Sequence, residues 1–195
     1  MLLRTSIMLA IVGLPALISA ASGETDPLSD QLTSPDEGLC FSRDYDAAHL
    51  KQHKGQRTQA AMLSFRSDAV RIMLRQTGRA APVYLVATCE WNPKTAGVNT
   101  SGSRMMPSFK KRQGYECIVI VSPGSAQEGG YAVIDPATDA KSLVLHLNSP
   151  VQAHPSLDKD APVFTLNLAR EDRAFLLTRI EPAACRAMEQ ALEGL

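Results

Sequence analysis

The sequence predicts a mainly β fold: a small antiparallel β-barrel of about eight strands, with a short N-terminal helix before it and a C-terminal helix after it. Three observations carry this. Apolar and polar residues alternate with period two in several short runs from Thr58 to Ile180. Turn residues separate those runs at short intervals. Four cysteines, Cys40, Cys89, Cys117 and Cys185, are spread widely through the same region. Many short strands with frequent turns suit a closed antiparallel sheet, which hides its edges by closure.

The chain divides into three parts. Residues 1–21 have the layout of a secretory signal peptide: Arg4 supplies a positive start, Ile7 to Leu14 is an apolar run, and Pro15 and the small Ser19-Ala20-Ala21 follow. The run is short for a membrane span and is soon followed by Glu24 and Asp26. The expectation is export to the periplasm or beyond the cell, with no membrane span after removal of the leader. Residues 22–38 hold Pro27, Pro35, Ser29, Ser34 and several acids without an apolar period, and read as a flexible lead-in. Residues 39–195 form one domain, long enough to bury a sizeable core.

Composition excludes some partners. Arg4 is the only charged side chain in residues 1–21, so removing them changes 20 bases against 20 acids into 19 against 20, a net charge of −1. Nucleic acid is not an expected partner, because phosphate binding needs a basic excess or a concentrated basic face. Nothing in the sequence sets an oligomeric state.

An even cysteine number in an exported chain favours two disulfides, for which three pairings exist. Cys89 with Cys117, closing the long middle loop, and Cys40 with Cys185, tying the domain's ends, is the pairing we expect. Zinc is the rival reading, but the cysteines are far apart and form no C-x-x-C unit.

The elements follow in order. Asp46 is a candidate cap for a helix from Ala47 to His53, with Gly55 ending it. His49 and His53 share one face of that helix at metal-binding spacing, yet the pattern lacks a third ligand and a general base, so no metal is expected. Asp44 and Asp46 beside a helix start suit capping and the helix dipole more than acid–base chemistry. Ala61, Leu63 and Phe65, then Val70, Ile72 and Leu74, alternate with wetter residues as a hairpin. After Thr77-Gly78-Arg79, the strand Pro82 to Trp91 places Val83, Leu85, Ala87 and Cys89 on one side.

Asn92 to Gln113 has no sustained period and reads as a long loop. Asn99-Thr100-Ser101 within it matches the N-glycan acceptor pattern, with nothing else to support a glycan. Tyr115 to Ser122 is apolar on both faces and reads as central. Pro123-Gly124 and Glu128-Gly129-Gly130 then punctuate the chain before strands at Tyr131 to Asp135 and Ser142 to Asn148. His146 on the latter is expected at the surface or the barrel mouth. Val163 to Leu168 and Ala174 to Ile180 read as a final hairpin around Arg170-Glu171-Asp172-Arg173. Pro182 opens the last helix, and Cys185, Met188 and Leu192 form its apolar stripe.

Two resemblances rest on particular segments. C-F-S-R-D-Y-D-A-A-H-L at Cys40 to Leu50, the pair Cys89 and Cys117, and D-R-A-F-L-L-T-R-I-E-P-A-A-C at Asp172 to Cys185 resemble an uncharacterised group of secreted or periplasmic proteobacterial proteins. That resemblance implies export and a disulfide-bonded β fold, and contributes no catalytic residue. Ser101-Gly102-Ser103-Arg104 is similar to the S-G-x-R inhibitory loop of bacterial C-type lysozyme inhibitors. It implies a protein partner, a lysozyme-like enzyme whose cleft carboxylates pair with Arg104. Met105 stands where that family has tyrosine, and Tyr115-Glu116-Cys117 follows the loop where the family's Y-x-C precedes it.

No G-x-S-x-G elbow, metal triad or phosphate loop occurs, so neither an enzyme nor a cofactor is expected. The expected function is a non-catalytic exported binding protein of unidentified ligand, with lysozyme-inhibitor-like action as the alternative. An envelope protein or a lysozyme-like enzyme would meet the loop residues Ser101, Gly102, Arg104, Met105, Met106, Phe109 and Lys110, which mix apolar and basic character as interface anchors do. A small apolar ligand would instead require a cavity inside the barrel.

Overall fold

The computed structural model describes residues 26–32, 38–67, 69–94, 96, 109, 113–121, 128–156 and 161–192. The signal-peptide reading, the Asn99-Thr100-Ser101 acceptor pattern and most of the long loop lie outside these residues. The strands are β1 (Leu39–Asp44), β2 (Thr58–Phe65), β3 (Val70–Gln76), β4 (Val83–Asn92), β5 (Gly114–Ile120), β6 (Glu128–Pro136), β7 (Ser142–Leu147), β8 (Val151–Ala153), β9 (Phe164–Leu166) and β10 (Ala174–Ile180). The helices are α1 (Ala47–Gln52) and α2 (Arg186–Leu192).

Eight of the strands close into an antiparallel barrel in the order β1-β10-β7-β6-β5-β4-β3-β2, with β2 bonded back to β1. From β1 to β7 each strand pairs with its successor, an up-and-down meander that needs only short turns or one long loop. The eighth place is filled by β10, which pairs with both β7 and β1. This corrects the last expected hairpin. Val163 to Leu168 contributes only β9, which pairs with β8 in a separate two-stranded sheet. Leu39–Asp44, read only as the approach to a helix, is the first barrel strand. Its alternation is masked because Cys40, which faces outward, is as buried as the inward Leu39 and Phe41.

The barrel has two ends. Leu39, Phe65, Val70, Asn92, Gly114, Ser142 and Ile180 mark one, here called upper; Asp44, Thr58, Gln76, Val83, Leu147 and Ala174 mark the other. Inward side chains from every barrel strand, among them Phe41, Leu63, Ile72, Leu85, Val119, Ile134, Leu145 and Phe175, are fully buried. The interior is therefore a packed core, as expected for a barrel of this size.

Both mouths are covered. At the upper end Leu28, which retains 0 % exposure, packs on the core, and its N–H donates to the Tyr115 hydroxyl at 2.9 Å. The lead-in expected over residues 22–38 thus includes a docked turn, Ser29–Gln31, behind a buried leucine. Phe65 and Trp91 flank Tyr115 with ring centroids 4.9 and 5.0 Å away. At the lower end Val151 and Ala153 of β8 and Leu166 of β9, with Leu168, join the same core. Gly130 permits this crossing. It lies within β6 at φ +134°, and a Cβ there would meet Val151 Cγ2 at 2.9 Å. Gly129-Gly130 is therefore part of a strand rather than a turn.

The C-terminal segment covers one patch of the outer wall. Cys185 and Met188 bring the C-terminal segment onto Cys40, Met62, Met73, Tyr84, Val86, Ile120 and Ile180. The Cys40–Cys185 disulfide fixes it there. Elsewhere Ile118, from the run expected to be buried on both faces, is 44 % exposed, because nothing described covers the outer side of β5 at that point. Asp46 caps α1 as expected, accepting the His49 N–H at 2.7 Å.

Asp172 is the lower end's main polar contact. Its carboxylate is fully buried and accepts the backbone N–H groups of Arg57 at 2.9 Å and Thr58 at 2.8 Å, fixing the start of β2 beside the start of β10. Asp172→Ala leaves both amides without that acceptor. We expect a loss of about 2–4 kcal/mol in urea unfolding, and a smaller loss for Asp172→Asn. The disulfides should rank by the chain they close: separations of 145 residues for Cys40–Cys185 and 28 for Cys89–Cys117 give about 5 and about 3.6 kcal/mol of loop-closure stabilisation. Paired Cys→Ala variants compared by denaturant midpoint should reproduce that order.

Candidate functional site

The long loop leaves the upper end from a rigid stem. β4 and β5 remain paired out to Asn92 opposite Gly114, and Cys89 sits directly opposite Cys117. These two cysteines are bonded, with Cα atoms 4.1 Å apart, so both expected pairings occur. Two disulfides suit an oxidising compartment. On the outer face of the stem, Glu116 accepts the Tyr131 hydroxyl at 2.6 Å and the Asn92 side-chain amide at 2.8 Å.

Among the loop residues expected to bind protein, Phe109 is described, and it is 1 % exposed. It packs with Ala96, Val133 and Tyr131, and meets His146 edge-on with ring centroids 5.3 Å apart. Two expectations are corrected together. Phe109 is an internal anchor rather than an exposed contact, and His146 lies beneath it at 6 % exposure rather than at the surface. One phenylalanine among polar and basic residues fits either role, and only its covering partner on β6 decides between them. Ser101, Gly102, Arg104, Met105, Met106 and Lys110 lie outside the described residues.

The other candidate groups have local tasks. Asp44 pairs with Arg75 at 3.0 Å on the exposed wall. His49 and His53 stack with centroids 4.2 Å apart; His49 Nε2 meets Gln56 Oε1 at 3.0 Å, and His53 Nδ1 lies 3.8 Å from Glu171. Among the described residues no group of three or more His, Cys, Asp or Glu is placed to hold a metal, and no helix is long and apolar enough to cross a membrane. Burial pushes the His154 imidazole below its ordinary value and the Tyr84 phenol above its own. Burial also raises Tyr45, opposed by nearby Arg43 and assisted by Asp172. Desolvation is the largest cause in all three.

Two clefts escaped the sequence reading, because each is assembled from distant segments. The upper one, about 270 Å³, lies beside the Leu28 turn and is lined in part by Asp26, Arg66, Glu90, Trp91 and Tyr115. The lower one, about 540 Å³, lies between the β2–β3 rim and β9, with Arg57, Gln76, Arg79, Thr165 and Asn167 on its walls.

If Phe109 anchors the loop, Phe109→Ala should speed tryptic cleavage within residues 93–113 by about tenfold or more, as a local opening becomes cheaper, while the barrel core keeps its amide protection. Limited proteolysis read by mass spectrometry checks this, and an unchanged cleavage rate would remove the anchor role. No family model, curated protein or solved structure matches the chain.

Proposed function

We propose that this chain is a non-catalytic exported binding protein, acting in the periplasm or outside the cell, that meets a protein partner on the outside of its barrel through residues 93–113. The observation that carries the reading is the filled interior. With the inward side chains of the described residues buried and both mouths covered by Leu28 and by the β8–β9 hairpin, the barrel axis is occupied by the protein's own side chains. Recognition then falls to the outer wall and the loops. The long loop has a welded stem at Cys89–Cys117 and an anchor at Phe109. Fixing part of a loop before binding lowers the ordering entropy that binding must overcome.

The alternative is inhibition of a lysozyme-like enzyme. The Ser101-Gly102-Ser103-Arg104 resemblance favours it, since an arginine can pair with the two carboxylates of a glycosidase cleft.

Capture from periplasmic extract and host fluid tests the general reading. A partner retained by the mature protein, and lost when residues 97–108 are replaced by a Gly-Ser segment of equal length, is the expected result; retention that ignores the replacement would overturn the loop assignment. Purified mature protein assayed against lysozyme tests the alternative. Micromolar inhibition that weakens at least about tenfold in Arg104→Ala is expected of a charge-assisted contact. Absence of inhibition removes that reading.

A further inference from the structure

The lower cleft lies at the opposite end of the barrel from the stem of the long loop. We propose that it is a second binding site, for a small hydroxylated ligand bearing an oxyanion, such as a sugar phosphate or a sugar carboxylate. About 540 Å³ is a normal size for a small-molecule site and accommodates a ligand of one or two sugar rings.

Charge is the first support. Arg57 and Arg79 both line the cleft, and among the described residues no carboxylate does. Among the described residues neither guanidinium has an ion-pair partner, in contrast to Arg75, which is held by Asp44. The turn Arg170–Asp172 before β10 brings two acids to this rim: exposed Glu171, beside Gly55 and 3.8 Å from His53 Nδ1, and Asp172. Asp172 is fully buried and already accepts the Arg57 and Thr58 backbone amides, so it shapes the rim without neutralising the arginines by direct contact. With the mature chain near neutrality, this local excess of positive charge belongs to the cleft rather than to the protein as a whole.

Preorganisation is the second. The Arg79 guanidinium stands 4.5 Å over the Phe164 ring, a cation–π contact that restrains it and joins the two walls. The rim is fixed by Thr77 N–H donating to the Arg57 carbonyl at 2.8 Å and Arg79 N–H to the Gln76 carbonyl at 3.2 Å. Between them Gly78, at φ +82°, has no atom within 4 Å of where a Cβ would stand, which leaves the turn open to a ligand.

The neutral lining is the third. Thr77 and Asn167 offer hydroxyl and amide groups; the Thr165 hydroxyl accepts from Gln152 at 3.1 Å and keeps its own proton to donate, while Gln76, only 7 % exposed, gives an amide proton to the Thr58 hydroxyl at 3.5 Å and keeps its carbonyl as an acceptor. Guanidinium forks recognise oxyanions, and neutral donors and acceptors beside them suit a hydroxylated body. An apolar ligand would find little to cover.

Amide-detected NMR titration of the mature protein tests the site, at constant ionic strength, with glucose 6-phosphate, glucuronate, inorganic phosphate and neutral glucose as probes. Saturable shifts confined to residues 76–79 and 165–167 with at least one anionic sugar, and none with glucose, are expected. A larger response to glucose 6-phosphate assigns the oxyanion as phosphate, and a larger one to glucuronate assigns it as carboxylate. Arg57→Gln with Arg79→Gln should weaken binding about tenfold or more while lowering the melting temperature by no more than about 4 °C, the loss of the Arg79–Phe164 contact. Equal binding in that variant, shifts scattered over the surface, or no saturable response to any anionic probe would each overturn the proposal. Because the loop-replacement variant keeps the cleft, shifts that persist in it separate this site from the proposed protein-binding loop.

Discussion

Closure of the sheet is the constraint on which everything else depends. An eight-strand meander leaves two free edges unless its first and last strands meet, and here β1 pairs with β10 on one side and β2 on the other. The sequence must therefore bring residues near 40 beside residues near 180 and keep them there. Cys40 stands on the outer face of β1 opposite Ile180, and the chain needs only the short turn Pro182–Ala184 to carry Cys185 back over that seam. The covalent bond then holds the position where a slip would reopen the edge. The Ser64 hydroxyl donates to Glu189 close by, so the C-terminal segment is tied to β2 as well as to β1.

A closed barrel of this size has no spare interior, and that decides where binding can occur. Once alternate side chains fill the core, each mouth needs a lid, and the two lids differ. The upper lid is Leu28, with half-buried Leu32 beside it on a polar turn, anchored through the Tyr115 hydroxyl. The lower lid is a hairpin, β8–β9, lying across glycine-bearing β6. The upper end consequently carries the long loop and its stem, whereas the lower end gains an extra wall, and a cleft forms between that wall and the barrel rim.

Much of this architecture was legible because period-two alternation is a local signal. The inward faces of β2, β3 and β4 were read correctly from Leu63, Ile72 and Leu85, and the helix cap at Asp46 from its neighbours. The failures share one cause, which is cover supplied by distant segments. Cys40 and Val86 face outward yet are buried under the C-terminal segment, so apolar residues occupy both phases of their strands. Ile118 shows the converse, an apolar residue with nothing described above it. Leu28 looks like one leucine in a proline- and serine-rich lead-in, and its partner Tyr115 is 87 positions away. Asp172 read as part of a turn, although its acceptors' partners lie 114 and 115 positions earlier. The strand count of eight was right while its membership was not, since β9 was included and β1 left out.

The same separation explains why the candidate sites were harder to read than the fold. Residues that hold the barrel are paired within it: Cys40 with Cys185, Asp172 with two amides, Phe109 with Val133 and His146. A binding surface is made of what those pairings leave unused. At the lower rim the ladder between β2 and β3 ends at Thr58 and Gln76, and beyond it Asp172, from the turn that precedes β10, is the acceptor for the Arg57 amide. Because a side chain from below secures the backbone there, the Arg57 guanidinium is not required for the fold. Arg79 is in the same position, restrained by the face of Phe164 rather than by an acid. A cation held by a ring keeps its N–H groups available at the edge of the guanidinium plane, whereas one held by a carboxylate does not. Anion recognition at this rim thus follows from how the barrel end is closed: among the described residues the Asp172 carboxylate is consumed by backbone amides and Glu171 lies toward His53, while the two arginines remain without an ion-pair partner.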